Sequence, residues 1–261
     1  MTAVIHIVGD WQYWLDRLGL KAPQALCGAY LAAENPEDAP DAPVCQRCER
    51  RAPRRSLVDL FRDWRAYRGR RAATAARWAE AETFTDLCEL TAQWLEGGLA
   101  FHPGGYNEPD PETTELLAVL ACLNRAGFLT DGSQPGIIAP GFDGVGWEQR
   151  AALQGYATDE RVMRALVVMA RVHGLLYVVH DPRDRIRQDP VVVTTRAGQP
   201  YTDFGVWLPP SNTRLTYGDW CSREMEAAVN AAYQVTLIDP EWGRNDVLWP
   251  ALTTREDAHD R

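Results

Sequence analysis

The chain contains no run of about twenty apolar residues, so no helix that spans a membrane is expected. Its N-terminus lacks a charged stretch followed by an apolar one, so no secretory leader is expected either. Net positive charge is missing too. The 27 Lys and Arg against 36 Asp and Glu leave −9, which argues against a general nucleic-acid binder. Cysteines number only 6, and without a leader they read as thiols or metal ligands of a cytoplasmic protein rather than as disulfides. Apolar surface, by contrast, is plentiful. A hydrophobic share of 46% suffices for a sizeable core, and 10 tryptophans raise the expected number of half-buried indoles near surfaces or ligands. A length of 261 residues allows one large domain or two.

The first fifty residues are loop-rich. Val4 to Val8 reads as a short strand and Trp11 to Leu18 as a short helix, while Glu34 to Pro43 is an acidic, proline-rich linker. His6, Cys27, Cys45 and Cys48 make a four-ligand inventory for tetrahedral zinc, the last two as a Cys-x-x-Cys knuckle. Such a site is structural, because four protein ligands leave no open position for chemistry. Other readings stand beside it: Cys88 or water as fourth ligand with His6 at the surface, a redox pair, or unligated core thiols. The order His…Cys-Gly…Cys-x-x-Cys resembles a small zinc module of actinobacterial and actinophage proteins.

Ten of the 27 basic residues then fall within 25 positions, from Arg47 to Arg71. Ser56 with Asp59 gives a capping-box-like start, and Leu57, Leu60, Phe61, Trp64 and Tyr67 form the stripe of a connecting helix over 53–80. Its arginines read either as a patch for nucleic acid or an acidic partner, or as a solvated helix face. Ala72 to Gly97 continues helical. His102, in the loop Phe101 to Asp110, is expected to be exposed, with no triad partner apparent.

Pro109 to Pro135 carries the densest pattern. Glu112 and Thr113 stand at a helix start, Leu116, Leu117, Leu120 and Leu123 follow at helical spacing, and Gly127 suits a left-handed cap. Phe128 to Thr130 reads as extended and Asp131 to Pro135 as a loop. Glu112, Thr113, Thr130 and Ser133 then either line one polar pocket or serve as ordinary caps and turn formers. Beyond, Gly136 to Gly146 reads as a loop, and Gln149 to Tyr156 and Asp159 to His173 as helices, the second burying Val162, Leu166, Met169 and Val172. Leu175 to Val179 and Val191 to Thr195 read as strands, Trp220 to Tyr233 as a helix, Val235 to Ile238 as a last strand, and Glu256 to Arg261 as a frayed tail.

Pro111-Glu112-Thr113, Asn124 to Gly127 and Leu129 to Pro135 together resemble the C-terminal, S-adenosylmethionine-binding regulatory domain of methylenetetrahydrofolate reductase. Val145-Gly146-Trp147 with Gln149-Arg150-Ala151, Gly205 to Pro209, and Tyr233 to Trp249 extend the resemblance over roughly Asp86 to Leu252. It implies a mixed α+β fold of class α/β: regulatory-domain-like mixed sheets flanked by helices over 81–254, with the small zinc module in front at 1–52. It also implies a strand at Gly205 to Pro209. It further implies a site for S-adenosylmethionine or S-adenosylhomocysteine built from Glu112, Thr113, Thr130, Ser133 and Thr216. Asp203 stands where that family has a threonine, a departure that either strengthens binding of a cation or signals a different ligand.

The reductase barrel has no room beside the matched region, so neither folate nor flavin chemistry is expected. The implied mechanism is binding rather than turnover, and the family's habits make a homodimer an expectation. Two other readings remain open: an enzyme acting on an adenosyl-sulfonium ligand with Glu112 or Asp203 as general base, and an adaptor working through zinc and arginines with its pocket lost.

Overall fold

The computed structural model describes residues 57–141, 144–184 and 187–253. The expected zinc ligands His6, Cys27, Cys45 and Cys48, the first strand and helix, and the tail lie outside these residues. The chain divides into two compact units, Met1–Arg65 and Ala66–Arg261, and almost everything below concerns the second.

Two helices open the described chain, α1 (Leu57–Ala79) and α2 (Phe84–Leu95). The expected continuous helix breaks between them because Thr83 and Asp86 cap each other. Thr83 Oγ1 accepts the Asp86 N–H at 3.1 Å while the Asp86 carboxylate accepts the Thr83 N–H at 2.8 Å. These bonds hold the Asp86 carboxyl below its ordinary range. Trp64, expected in the buried stripe of α1, is 38% exposed.

A 3-10 helix follows at Pro111–Leu116 and runs into α3 (Leu117–Arg125). Asp110 caps it by accepting the Glu112 N–H at 3.1 Å, and Pro111 supplies a first-turn residue with no N–H to satisfy. Gly127, at φ +87°, ends α3 as expected. The next segment departs from the sequence reading. Asp131 to Gln134 is no loop but most of β1 (Leu129–Gln134), and β2 (Ile137–Pro140) occupies what reads as a second loop.

The largest departure is β3 (Gly146–Ala157), where Gln149 to Tyr156 reads as a helix. Ala, Leu, Gln and Arg favour a helix in isolation, but both faces of this strand are packed, and packing overrides propensity. Gly155 shows how close the packing is: a Cβ there would lie 2.2 Å from the Leu129 carbonyl oxygen.

α4 (Glu160–Val172) is capped by Asp159 and buries Leu166 and Ala170, whereas Val172 is 74% exposed; the buried stripe is rotated from the expected one. β4 (Leu176–His180), β5 (Val191–Arg196) and β6 (Gln199–Phe204) follow. Residues 205–209, the expected strand, join β6 to α5 (Pro210–Tyr217) without strand pairing. α6 (Arg223–Asn230), shorter than expected because Ser222 caps it, β7 (Tyr233–Trp242) and α7 (Leu248–Thr253) complete the fold.

The architecture is mixed α+β, with one sheet in the order β4-β7-β3-β5-β6 and β1 and β2 added along β3. Every pairing among the described strands is antiparallel. β3 is the spine. Its first half is flanked by β2 and β5, its second half by β1 and β7. Side chains alternate along it. Ala151, Leu153 and Ala157 join the large core shared with the helices, and Ala152 joins a smaller core with Val193, Ile238, Val191 and Phe204. One face of the sheet therefore carries helices, and the other is covered by the β5–β6 hairpin. Among the described residues no helix is long and apolar enough to cross a membrane.

Candidate functional site

The helix-bearing face of β1 gathers four of the six expected ligand-binding residues. Thr130 stands opposite Gly155 and Ser133 opposite Leu153. A spacing of three would ordinarily put them on opposite faces of a strand. A bulge at Asp131 inserts one extra residue and brings both onto the face of Gly155 and Leu153. The 3-10 helix carrying Glu112 and Thr113 packs on the same strand.

Each of these side chains has a local environment of its own. The Thr113 hydroxyl donates to the Asp110 carbonyl at 2.8 Å and is buried. Thr130 is held by the fully buried Asn124, whose amide donates to Thr130 Oγ1 at 2.8 Å and accepts the Thr130 N–H at 3.1 Å. The same amide donates to the Leu120 carbonyl at 2.8 Å, so Asn124 locks the end of α3 onto the start of β1. Glu112 accepts a hydrogen bond from the Gln149 side chain. Glu112 is exposed by surface area, yet neighbouring atoms partly desolvate its carboxyl and raise its pKa, the Asp110 charge adding and the Gln149 bond opposing. Gln149 is itself fixed, donating to the Pro135 carbonyl at 2.8 Å and accepting from the Trp147 indole at 3.2 Å. Ser133 is half-buried and forms no hydrogen bond with its hydroxyl. The 3-10 helix and β1 thus bring one carboxylate and three hydroxyl-bearing residues onto adjoining elements.

The other two residues stand on other elements. Asp203 is exposed on β6 opposite Val192, and Thr216 is half-buried on α5. They are not part of the β1 group.

The opposite face of the sheet holds a polar row that the sequence reading missed. Tyr156, Gln234 and His180 are successive partners across β3, β7 and β4, and Gln154 stands opposite Thr236. They hold the segment 205–208 against the sheet. The Gln234 amide accepts the Leu208 N–H at 2.8 Å and donates to the Leu208 carbonyl at 2.7 Å, and His180 Nε2 donates to the Gly205 carbonyl at 2.8 Å. That bond leaves Nδ1 as the buried nitrogen with no partner. Asp131, exposed on its outer edge, accepts from Gln154 Nε2 at 3.1 Å. The space enclosed is about 10 Å³, no more than one water. As closed, this row fastens a strap and does not hold a ligand. Its signal was legible in the alternation Gln234-Val-Thr236 inside an apolar strand.

His102 is a second correction. It is buried, 8% exposed, against Trp78 and Trp94 with ring centroids 5.4 and 4.9 Å away. Its Nδ1 accepts the Gly104 N–H at 3.1 Å, and burial lowers its pKa to about 4, so the ring is neutral.

Among the described residues no group of three or more His, Cys, Asp or Glu is placed to hold a metal. Cys88, weighed as a fourth zinc ligand, is a core thiol in α2 whose pKa burial pushes up to about 12. A thiol so placed stays protonated and is a poor ligand.

Residues 73–256 match a protein family described as a domain of unknown function, DUF6919, and the chain belongs to that family. No curated protein matches it.

Proposed function

We propose that the chain is a regulatory protein that senses S-adenosylmethionine or S-adenosylhomocysteine in the cytoplasm. A structural zinc at His6, Cys27, Cys45 and Cys48 staples its N-terminal module. The observation that carries the reading is the bulge at Asp131, which sets Thr130 and Ser133 on the face where Glu112 and Thr113 pack. The resemblance of these segments to the methylenetetrahydrofolate reductase regulatory domain supplies the ligand class.

In this reading the Glu112 carboxylate faces the ammonium or sulfonium, where opposite charge at short range contributes most in a partly desolvated site. Ser133, whose hydroxyl is uncommitted, with Thr113 and Thr130, whose oxygens keep a lone pair each, bond the amino-acid end and the ribose. Asp203 and Thr216, on β6 and α5, stand apart from this group and are not needed for it. The zinc holds thiolates and an imidazole and takes no part in binding. Nothing in this arrangement requires turnover, so ligand occupancy is the output.

Isothermal titration with S-adenosylmethionine and S-adenosylhomocysteine tests the proposal, using the full chain and the Glu112→Ala and Ser133→Ala variants. The expected result is binding at micromolar or tighter, weakened at least tenfold in Glu112→Ala. No heat with either compound, from protein whose circular dichroism shows it folded, refutes it.

A further inference from the structure

Away from β1, one face of α1 and the loop after α2 enclose a groove of about 660 Å³, within the range of small-molecule sites. Two hydrogen bonds clamp its walls. Arg71 donates to Asn107 Oδ1 at 2.9 Å, and Ala100 N–H to Thr74 Oγ1 at 3.0 Å. The groove is therefore a built feature of the fold.

Its lining is unlike the rest of this acidic chain. Arg70 and Arg77 stand seven residues apart on α1, so their backbones are separated by about 10 Å along the helix. Arg70 is exposed and without a partner, and Arg77 has only the neutral Gln93 carbonyl, at 3.0 Å. Within the groove two guanidiniums face one carboxylate, Glu108, so its lining is net positive and invites an anion. At the Arg77 end lies the pair Gly97-Gly98; a Cβ on Gly97 would meet nothing within 4 Å, which leaves room for a bulky tetrahedral group. At the Arg70 end the half-buried Tyr67 ring is fixed by the Arg71 guanidinium, 3.1 Å from its hydroxyl. Trp94 forms part of the floor, its indole donating to the Asn107 carbonyl at 3.3 Å.

We propose that this groove binds a nucleoside phosphate, with the phosphate between Arg77 and the glycine pair and the base against Tyr67. Phosphate, sugar and base run in that order along the groove from Arg77 towards Tyr67, and base–aromatic stacking supplies the remaining affinity. Glu108, which also lines the groove, disfavours ligands with a second anionic end at that side. This site is distinct from the Glu112–Ser133 group, and its ligand is opposite in charge to a sulfonium.

The test is titration of the full chain with AMP and ADP, followed by Trp fluorescence and calorimetry. Adenosine, inorganic pyrophosphate and an acidic hexapeptide serve as comparison ligands. We expect sub-millimolar binding of the nucleotides, at least tenfold weaker binding of adenosine and of pyrophosphate, and at least a fivefold loss in Arg70→Gln and Arg77→Gln. Glu112→Ala should bind nucleotide as the parent does, which separates this site from the sensor reading. Arg70 has no partner in the structure, so Arg70→Gln keeps the fold and remains decisive if Arg77→Gln does not. Absence of nucleotide binding overturns the proposal. So does binding unchanged in both arginine variants, or a peptide or pyrophosphate that binds as well as AMP.

Discussion

His102 makes a quantitative prediction about stability. Its ring is neutral in the folded protein because charging it among Trp78, Trp94 and Tyr217 would strip the imidazolium of water. The folded pKa is lowered from 6.5 to about 4, and the cause is burial alone. With a depressed folded pKa, the unfolded chain takes the proton first as pH falls. The stability associated with neutral His102 is thus fully present above about pH 6.5 and is lost on acidification towards pH 4. At 1.36 kcal/mol per pKa unit the complete loss is about 3 kcal/mol, and about 2 kcal/mol of it is reached by pH 5. Urea unfolding at pH 8 and pH 5, for the parent and His102→Phe, reads this directly. Other titrating groups contribute alike to both proteins, so the drop in unfolding free energy should be smaller in the variant by about 2 kcal/mol. An equal drop in the two proteins refutes the reasoning, as does an NMR titration that places the folded His102 pKa above 6.

Two further outcomes follow from other sites. Gly155→Ala puts a methyl 2.2 Å from the Leu129 carbonyl oxygen, so β1 must move off β3. Overpacking of this kind costs about 1–3 kcal/mol or more, read as a lower midpoint in thermal unfolding, and an unchanged midpoint would contradict the close approach. If His6, Cys27, Cys45 and Cys48 hold zinc, purified protein carries about one zinc per chain by elemental analysis and a Cys45→Ser, Cys48→Ser variant carries none. Equal metal content in the two would remove the zinc module.

Local chemistry was readable from the sequence wherever one residue settles a backbone choice. Gly127 ends α3, Asp159 starts α4, and the β-branched run at Val191 to Thr195 is a strand. What failed was decided by distant partners. Gln149 to Tyr156 has helix-forming residues, yet it is the strand on which β1, β2, β5 and β7 assemble. Val172 fits a buried helical stripe by spacing, but the neighbouring strand covers Leu166 and Ala170 instead. His102 has no local sign of burial, because Trp78 and Trp94 reach it from two separate helices. For the candidate site, the helix start at Glu112 and Thr113 was legible. The bulge that sets Thr130 and Ser133 on one face was not, since Asp131-Gly132 reads as a turn. The commitment of Thr130 to Asn124 likewise emerges only when α3 and β1 meet.

The position of β7 has a consequence for biosynthesis. The last strand of the chain lies between β4 and β3, not at an edge. Until residues 233–242 leave the ribosome, β3 and β4 each present an unpaired side, and neither can pair with the other without displacing the missing strand. Contacts this remote in sequence slow assembly, and exposed edges attract other chains. A nascent chain arrested before Tyr233 is therefore a candidate for chaperone capture, and emergence of Tyr233–Trp242 is the event that lets the sheet close.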